Sequence, residues 1–82
     1  MKFYVYILIN NLKNKTYVGY TNNLINRLKE HNSGESFYTK RFGPWEIIFT
    51  EQFKTKNEAI KKEKYFKSAS GRKWIKKTLF VT

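Results

Sequence analysis

Five side chains in this sequence have types that together suggest phosphodiester chemistry: two phenols, a guanidinium, an imidazole and a carboxylate. Tyr4-Val5-Tyr6 and Tyr17-Val18-Gly19 are two tyrosine tripeptides about ten residues apart, Arg27 follows Gly19 by eight residues, and His31 stands one helical turn beyond Arg27. A guanidinium offers forked donors to phosphate oxygens, and a phenol or imidazole beside it holds or moves a proton. The carboxylate is Glu63. On a helix its neighbours at i−4, i−3 and i+3 are Ala59, Ile60 and Phe66, which places it on an apolar stripe where an unpaired charge is costly. Position therefore favours a metal ligand or a catalytic group. The structural alternative is an ion pair to Lys67 at i+4, or to Arg27 across the interior.

Each member has an ordinary explanation when taken alone. Strand tyrosines commonly pack as amphipathic edges of a core, a histidine near a helix C-terminus interacts with the helix dipole, and an arginine can be a surface charge. Only one histidine is present and cysteine is absent, so histidine-rich and thiolate metal centres are excluded. The signal lies in the set and its spacing. Glu58 is left out of the set because Thr55-Lys56-Asn57-Glu58 reads as a capping box with Thr55 as N-cap.

These side chains need elements to position them. Phe3 to Ile9 is β-branched and aromatic and reads as a strand; Asn10-Asn11-Leu12-Lys13-Asn14 is a turn cluster, and Thr16 to Tyr20 a second strand. In an antiparallel hairpin that sets Tyr6 across from Gly19, Leu8 faces Tyr17, and Tyr4, Tyr6, Leu8, Tyr17 and Gly19 share one face. Gly19 leaves room there for a close approach. Thr21-Asn22-Asn23 offers N-caps for a helix to about Ser33-Gly34, with Leu24 and Leu28 as its apolar stripe and Arg27 and His31 flanking it. Residues 35–44 form a loop. Trp45 to Phe53 is a third strand, in which Ile47, Phe49 and Glu51 alternate against Ile48. A helix from the Thr55 cap to about Ser68 buries Ala59, Ile60 and Phe66; a last helix from Ser70-Gly71 carries the stripe Trp74, Ile75, Thr78 and Leu79. The order β-β-α-β-α-α predicts a single α/β (α+β) domain over residues 1–82, a small three-stranded antiparallel sheet flanked by helices.

The charge is one-sided. Fourteen lysines and three arginines stand against six glutamates and no aspartate, a net +11. A field of that sign concentrates phosphate backbones, although a solvated lysine-rich surface gives the same composition. Lysine over arginine favours point-charge attraction to a backbone rather than bidentate reading of bases. Without disulfides, stability must come from packing, for which 18% aromatic content supplies large apolar groups. The apolar run at the start is too short, and too rich in tyrosine, for a signal peptide or a membrane span. A soluble cytoplasmic protein with no membrane contact is expected.

At these positions the chain resembles the GIY-YIG nuclease domain family. Tyr4-Val5-Tyr6 and Tyr17-Val18-Gly19 stand where the two tripeptides would be, Asn26-Arg27-Leu28 and His31 in the helix that follows, and Glu63 like the glutamate of the next helix. Tyr38-Thr39-Lys40-Arg41 and Pro44-Trp45-Glu46 are similar to the small stand-alone bacterial members. The resemblance implies an endonuclease that hydrolyses DNA phosphodiester bonds with one divalent cation, Mg²⁺ or Mn²⁺, with little sequence specificity and a place in DNA repair or processing. It implies Tyr17 as general base, Arg27 on the charge of the transferring phosphoryl, Glu63 as metal ligand, and Tyr6 and His31 as orienting groups. Lys40, Arg41, Lys61, Lys64, Lys67, Arg72 and Lys73 would contact the DNA backbone, and a protein partner would help to direct the domain to its target. The chain departs from the pattern at Tyr4, where the family's first glycine would be, and after Asn57, beyond which there is no counterpart of the late phosphate-binding asparagine of larger members. A non-catalytic, basic nucleic-acid-binding module that keeps the nuclease fold is the alternative.

Overall fold

The computed structural model describes residues 2–10, 15–33 and 43–79. Three strands, β1 (Phe3–Asn10), β2 (Thr16–Thr21) and β3 (Trp45–Phe53), form one antiparallel sheet in the order β2-β1-β3. Three helices complete the order anticipated from the sequence: α1 (Leu24–Ser33), α2 (Lys56–Lys67) and α3 (Ala69–Leu79). The hairpin register is the expected one, with Tyr6 opposite Gly19 and Leu8 opposite Tyr17.

Strand alternation divides the core in two. Val5, Ile7 and Val18 turn to one face, where Ala59 and Phe66 of α2 and Ile75 of α3 cover them. Tyr6, Leu8 and Trp45 turn to the other, where Tyr17, Ile47 and the α1 leucines Leu24 and Leu28 pack on them. The sheet is thus a layer between α1 and the α2–α3 pair, and β1, buried from Val5 to Asn10, is its centre.

The third strand departs from strict alternation. Ile7 pairs with Phe49 but Leu8 pairs with Ile47, so Ile48 is an extra residue in β3. This β-bulge re-aims the side chains on either side of it. Ile47 joins the Tyr6 face, and both Ile48 and Phe49 join the opposite face, whereas unbroken alternation had set Ile47 and Phe49 together. Trp45 and Ile47 can therefore serve the α1 side while Phe49 meets Phe66 and Trp74 edge-on, with ring centroids 5.5 and 5.4 Å away.

The helix ends follow local chemistry. The Asn26 backbone N–H donates to Asn23 Oδ1 (3.1 Å), making Asn23 the cap of α1. Thr55 caps α2 by accepting from the Glu58 N–H (3.2 Å), and its hydroxyl donates to the Glu58 carboxylate (2.9 Å). α3 begins at Ala69, and Gly71 explains how closely it crosses α2: a Cβ there would lie 1.9 Å from the Tyr65 carbonyl oxygen. Thr78, assigned to the apolar stripe, is exposed, and the buried side of α3 is instead Gly71 and Ile75 with Trp74 and Leu79 beside them. The end expected for α1 at Gly34 and most of loop 35–44 lie outside the described residues.

Candidate active site

β1, β2 and α1 bring four of the predicted groups together. Tyr6 is 1% exposed, and its phenol oxygen is the meeting point. Arg27 Nε donates to it at 3.3 Å, and His31 Nε2 stands 3.0 Å from it. Arg27 and His31 occupy successive turns of α1, which is why an i,i+4 pair can grip one hydroxyl from two sides. Tyr17 closes the group, its ring 4.7 Å from that of His31 and 6.4 Å from that of Tyr6. It lies on the edge strand and is only half-buried, the more accessible of the two phenols.

Gly19 makes the arrangement possible. A Cβ at that position would sit 2.5 Å from the Tyr6 hydroxyl and 3.2 Å from the Tyr17 ring. The phenol of Tyr6 therefore lies over the bare backbone of its cross-strand partner, where any other residue would put a side chain. This is the close approach that a strand glycine permits.

The electrostatics separate the two ionisable rings from their ordinary behaviour. Burial pushes the Tyr6 phenol up to about 12, against the lowering effect of the hydrogen bond and charge of Arg27, with smaller upward contributions from Tyr17 and Glu63. Burial also lowers the pKa of His31, assisted by the Arg27 charge and opposed by Glu30. At neutral pH Tyr6 is a phenol and His31 a neutral ring. Arg27 fills one lone pair of the phenol oxygen, and the tautomer of His31 sets whether Nε2 accepts the phenol proton or donates to the second lone pair. His31 is buried at 2% exposure, in the core rather than on its flank.

Glu63 approaches from the other layer. Its neighbour Lys62 reaches Glu51 of β3 at 3.8 Å. About 100° further round the helix, Glu63 lies on the opposite flank of the buried stripe. Its charge there is felt by the Tyr6 phenol. The ion pair weighed from sequence is made with Lys67, at 3.7 Å, while the glutamate side chain is 18% exposed. At that separation the pair is loose, and an oxygen of Glu63 can exchange its partner. Arg27 does not pair with Glu63 but with Glu30, at 3.2 Å.

One carboxylate with this exposure fits a hydrated Mg²⁺ or Mn²⁺, which is held through one or two carboxylates and keeps its waters. It does not fit an all-protein cage: no group of three His, Cys, Asp or Glu capable of holding a metal is present among the described residues.

Among the remaining predicted contacts, Lys61, Lys64 and Lys67 on α2 and Arg72 and Lys73 on α3 are exposed, on the layer opposite α1. Lys40 and Arg41 lie outside the described residues. Sequence reasoning missed two residues of α1. Glu30 is the ion partner of Arg27, and the i,i+3 spacing of opposite charges was the available sign. Asn32 bonds the Trp45 backbone through both ends of its amide; a polar residue in a last helical turn gives no sequence signal for that.

The chain as a whole has counterparts among known proteins. The GIY-YIG catalytic domain matches residues 2–77 of this chain. The chain belongs to the GIY-YIG family. That family is of nuclease type, and three relatives place the chain among its small members. The UPF0213 protein YazA of Bacillus subtilis (strain 168) is 49% identical over 61 residues, covering 73% of this chain and 62% of YazA. The UPF0213 protein SSP2268 of Staphylococcus saprophyticus is 36% identical over 76 residues, 92% of each chain. The solution NMR structure of the UPF0213 protein BH0048 from Bacillus halodurans is 38% identical, superimposes with a TM-score of 0.56, and covers 98% of this chain and 83% of its own. For the first curated relatives the shared region is shorter than their own length, 62% of YazA and 57% of the Bacillus licheniformis UPF0213 protein BLi00048/BL00536. No described helix is long and apolar enough to cross a membrane.

Proposed function

We propose that this GIY-YIG protein is an endonuclease that hydrolyses DNA phosphodiester bonds with little sequence specificity, using one hydrated Mg²⁺ or Mn²⁺ at Glu63. The observation that carries the reading is the convergence of Arg27 and His31 on the buried Tyr6 hydroxyl, with Tyr17 of the edge strand packed against His31. Half-exposed Arg27 has donors beyond the one it commits to Tyr6, and these suit a phosphoryl oxygen. Tyr6 is buried and held by Arg27 and His31, so it orients rather than meets the attacking water. The role of base falls to Tyr17, the outer phenol. The bound cation would supply positive charge that neutralises the phosphate and acidifies its own water. Arg27 stabilises the charge on the oxygens of the transferring phosphoryl group, and the buried ring of His31 keeps Tyr6 in place.

Backbone affinity comes from the exposed lysines and arginines of α2 and α3. Lys67 is ion-paired with Glu63, so the positive surface of α2 reaches the carboxylate. Processing of damaged or branched DNA suits a domain that attracts backbone and does not read bases. A second reading, a nucleic-acid binder without catalysis, draws on the Glu63–Lys67 ion pair, since a glutamate already paired has less need of a cation. Supercoiled, branched and single-stranded DNA incubated with the protein under Mg²⁺ and Mn²⁺ separates the two. Cleavage abolished by chelator supports the nuclease; salt-sensitive binding without cleavage supports the binder.

A further inference from the structure

We propose that Asn32 is a positioning residue for this site, clamping the last turn of α1 to the first residue of β3 so that His31 and Arg27 stay on Tyr6. Asn32 Nδ2 donates to the Trp45 carbonyl at 3.1 Å, and the Trp45 N–H donates to Asn32 Oδ1 at 2.7 Å. One side-chain amide thus satisfies both backbone groups of one residue, a pairing that needs a donor and an acceptor on the same short side chain. Aspartate lacks the donor, serine lacks the reach, and glutamine is a methylene too long.

The clamp joins two parts of the same cluster. Trp45 is 4% exposed and packs with Tyr6 and Leu8, and its backbone pairs with Asn10 at the end of β1. At the other end of the clamp, Asn32 follows His31 directly. The apolar attachments of α1 to this cluster are Leu24 and Leu28, in its first two turns. The turn that carries His31 therefore depends on Asn32 for its height above the sheet. A hydrogen bond of 3.0 Å between His31 and Tyr6 does not survive a displacement of about 1 Å, a shift that can cost on the order of 100-fold in rate when it misplaces a catalytic group.

His31 is the one histidine in the chain, so its imidazole gives a single set of ring signals in a 15N-labelled sample. The wild-type ring should show one dominant tautomer, with Nε2 hydrogen-bonded to the Tyr6 hydroxyl. In Asn32→Ala and Asn32→Asp these signals should move toward a mixture of tautomers while the amide signals of β1 stay in place, the aspartate retaining more of the wild-type position through its bond from the Trp45 N–H. Thr55→Ala, which removes the cap of α2 on the far layer, should lower the melting temperature and leave the ring signals unmoved. The kinetic part rests on the nuclease reading: kcat for nicking should fall by up to about 100-fold with Kd for DNA unchanged. Ring signals that match the wild type in the Asn32 variants, or that Thr55→Ala shifts as far, overturn the proposal. The spectra decide even if no nicking is found, and Asn32→Asp decides if Asn32→Ala does not fold.

Discussion

The Tyr6 hydroxyl has one proton to give and two groups holding it from α1, and most of the site's chemistry follows from that. Tyr6→Phe removes the oxygen and leaves Arg27 Nε and His31 Nε2 facing a hydrocarbon edge. Loss of a buried hydrogen-bonding group typically costs about 1–3 kcal/mol, so thermal melting of the folded variant should show a loss of that size together with a deficit in cleavage. Gly19→Ala tests the same atom from the other side. Its Cβ would meet the phenol at 2.5 Å, and forcing extra volume into packed space costs typically about 1–3 kcal/mol. Melting and nicking assays on this variant should show both properties reduced; a wild-type melting curve would contradict the geometry.

The two perturbed groups also set the pH limits of stability. Burial raises Tyr6 to about 12, so the unfolded chain, titrating near 10, releases its proton first. The stabilisation is complete below about pH 10 and lost between about 10 and 12. Burial lowers His31, so the unfolded histidine takes up its proton first as the solution is acidified. That contribution is present above about pH 6.5 and is lost as pH falls through the folded value. Melting temperatures followed from about pH 7.5 down to 5.5 should decline, and a rise over that window would contradict a neutral, buried His31.

At the scale of elements, the hairpin was the most legible part of the chain. Alternation of large apolar side chains has a period of two, and a slip by one residue would have sent Val5 and Ile7 to the tyrosine face, so the register was determined by burial. The same logic failed in β3, because a bulge at Ile48 leaves no mark in a run of apolar residues. The caps at Asn23 and Thr55 were readable because they are local. The Asn32–Trp45 clamp and the Gly71 crossing were not, since each depends on where a distant backbone comes to lie. Of the site itself, Tyr6, Tyr17, Arg27 and His31 converge as their spacing suggested, while Glu63 was placed on the right stripe but arrives from the opposite layer and is already paired with Lys67.

Two substitutions test the helices. Gly71→Ala puts a methyl into the Tyr65 and Phe66 backbone and should separate α3 from α2, loosening Phe66, Trp74 and Ile75. A loss of about 1–3 kcal/mol or more is expected by denaturant titration. The glutamates of α2 divide the roles further. Glu58→Ala loosens a cap, costs at most the roughly 0.5–2 kcal/mol that a cap contributes, and should leave cleavage per folded molecule intact. Glu63→Gln should abolish cleavage and change stability by less than about 1 kcal/mol, as expected for a loose, partly exposed pair. The reverse pattern, a dead but folded Glu58→Ala beside an active Glu63→Gln, would assign the metal to the wrong residue.

For the whole molecule, charge and architecture act together. A net +11 on 82 residues produces attraction to any polyanion, and the exposed basic residues of α2 and α3 concentrate it on one layer. Removing one backbone contact, as in Lys64→Gln, should reduce the slope of log K against log salt by about one unit, alike on every DNA sequence. Binding that is indifferent to salt would contradict an electrostatic origin. The central claim is that the tyrosine–arginine–histidine cluster and Glu63 together cut DNA, and nicking of supercoiled plasmid tests it most directly. Wild-type protein with Mg²⁺ or Mn²⁺ should convert the plasmid to open circles, chelator should stop it, and Tyr17→Phe and Glu63→Gln should each be inactive while still binding DNA. Plasmid left intact by folded wild-type protein under both metals, or nicked as well by both variants, would contradict it.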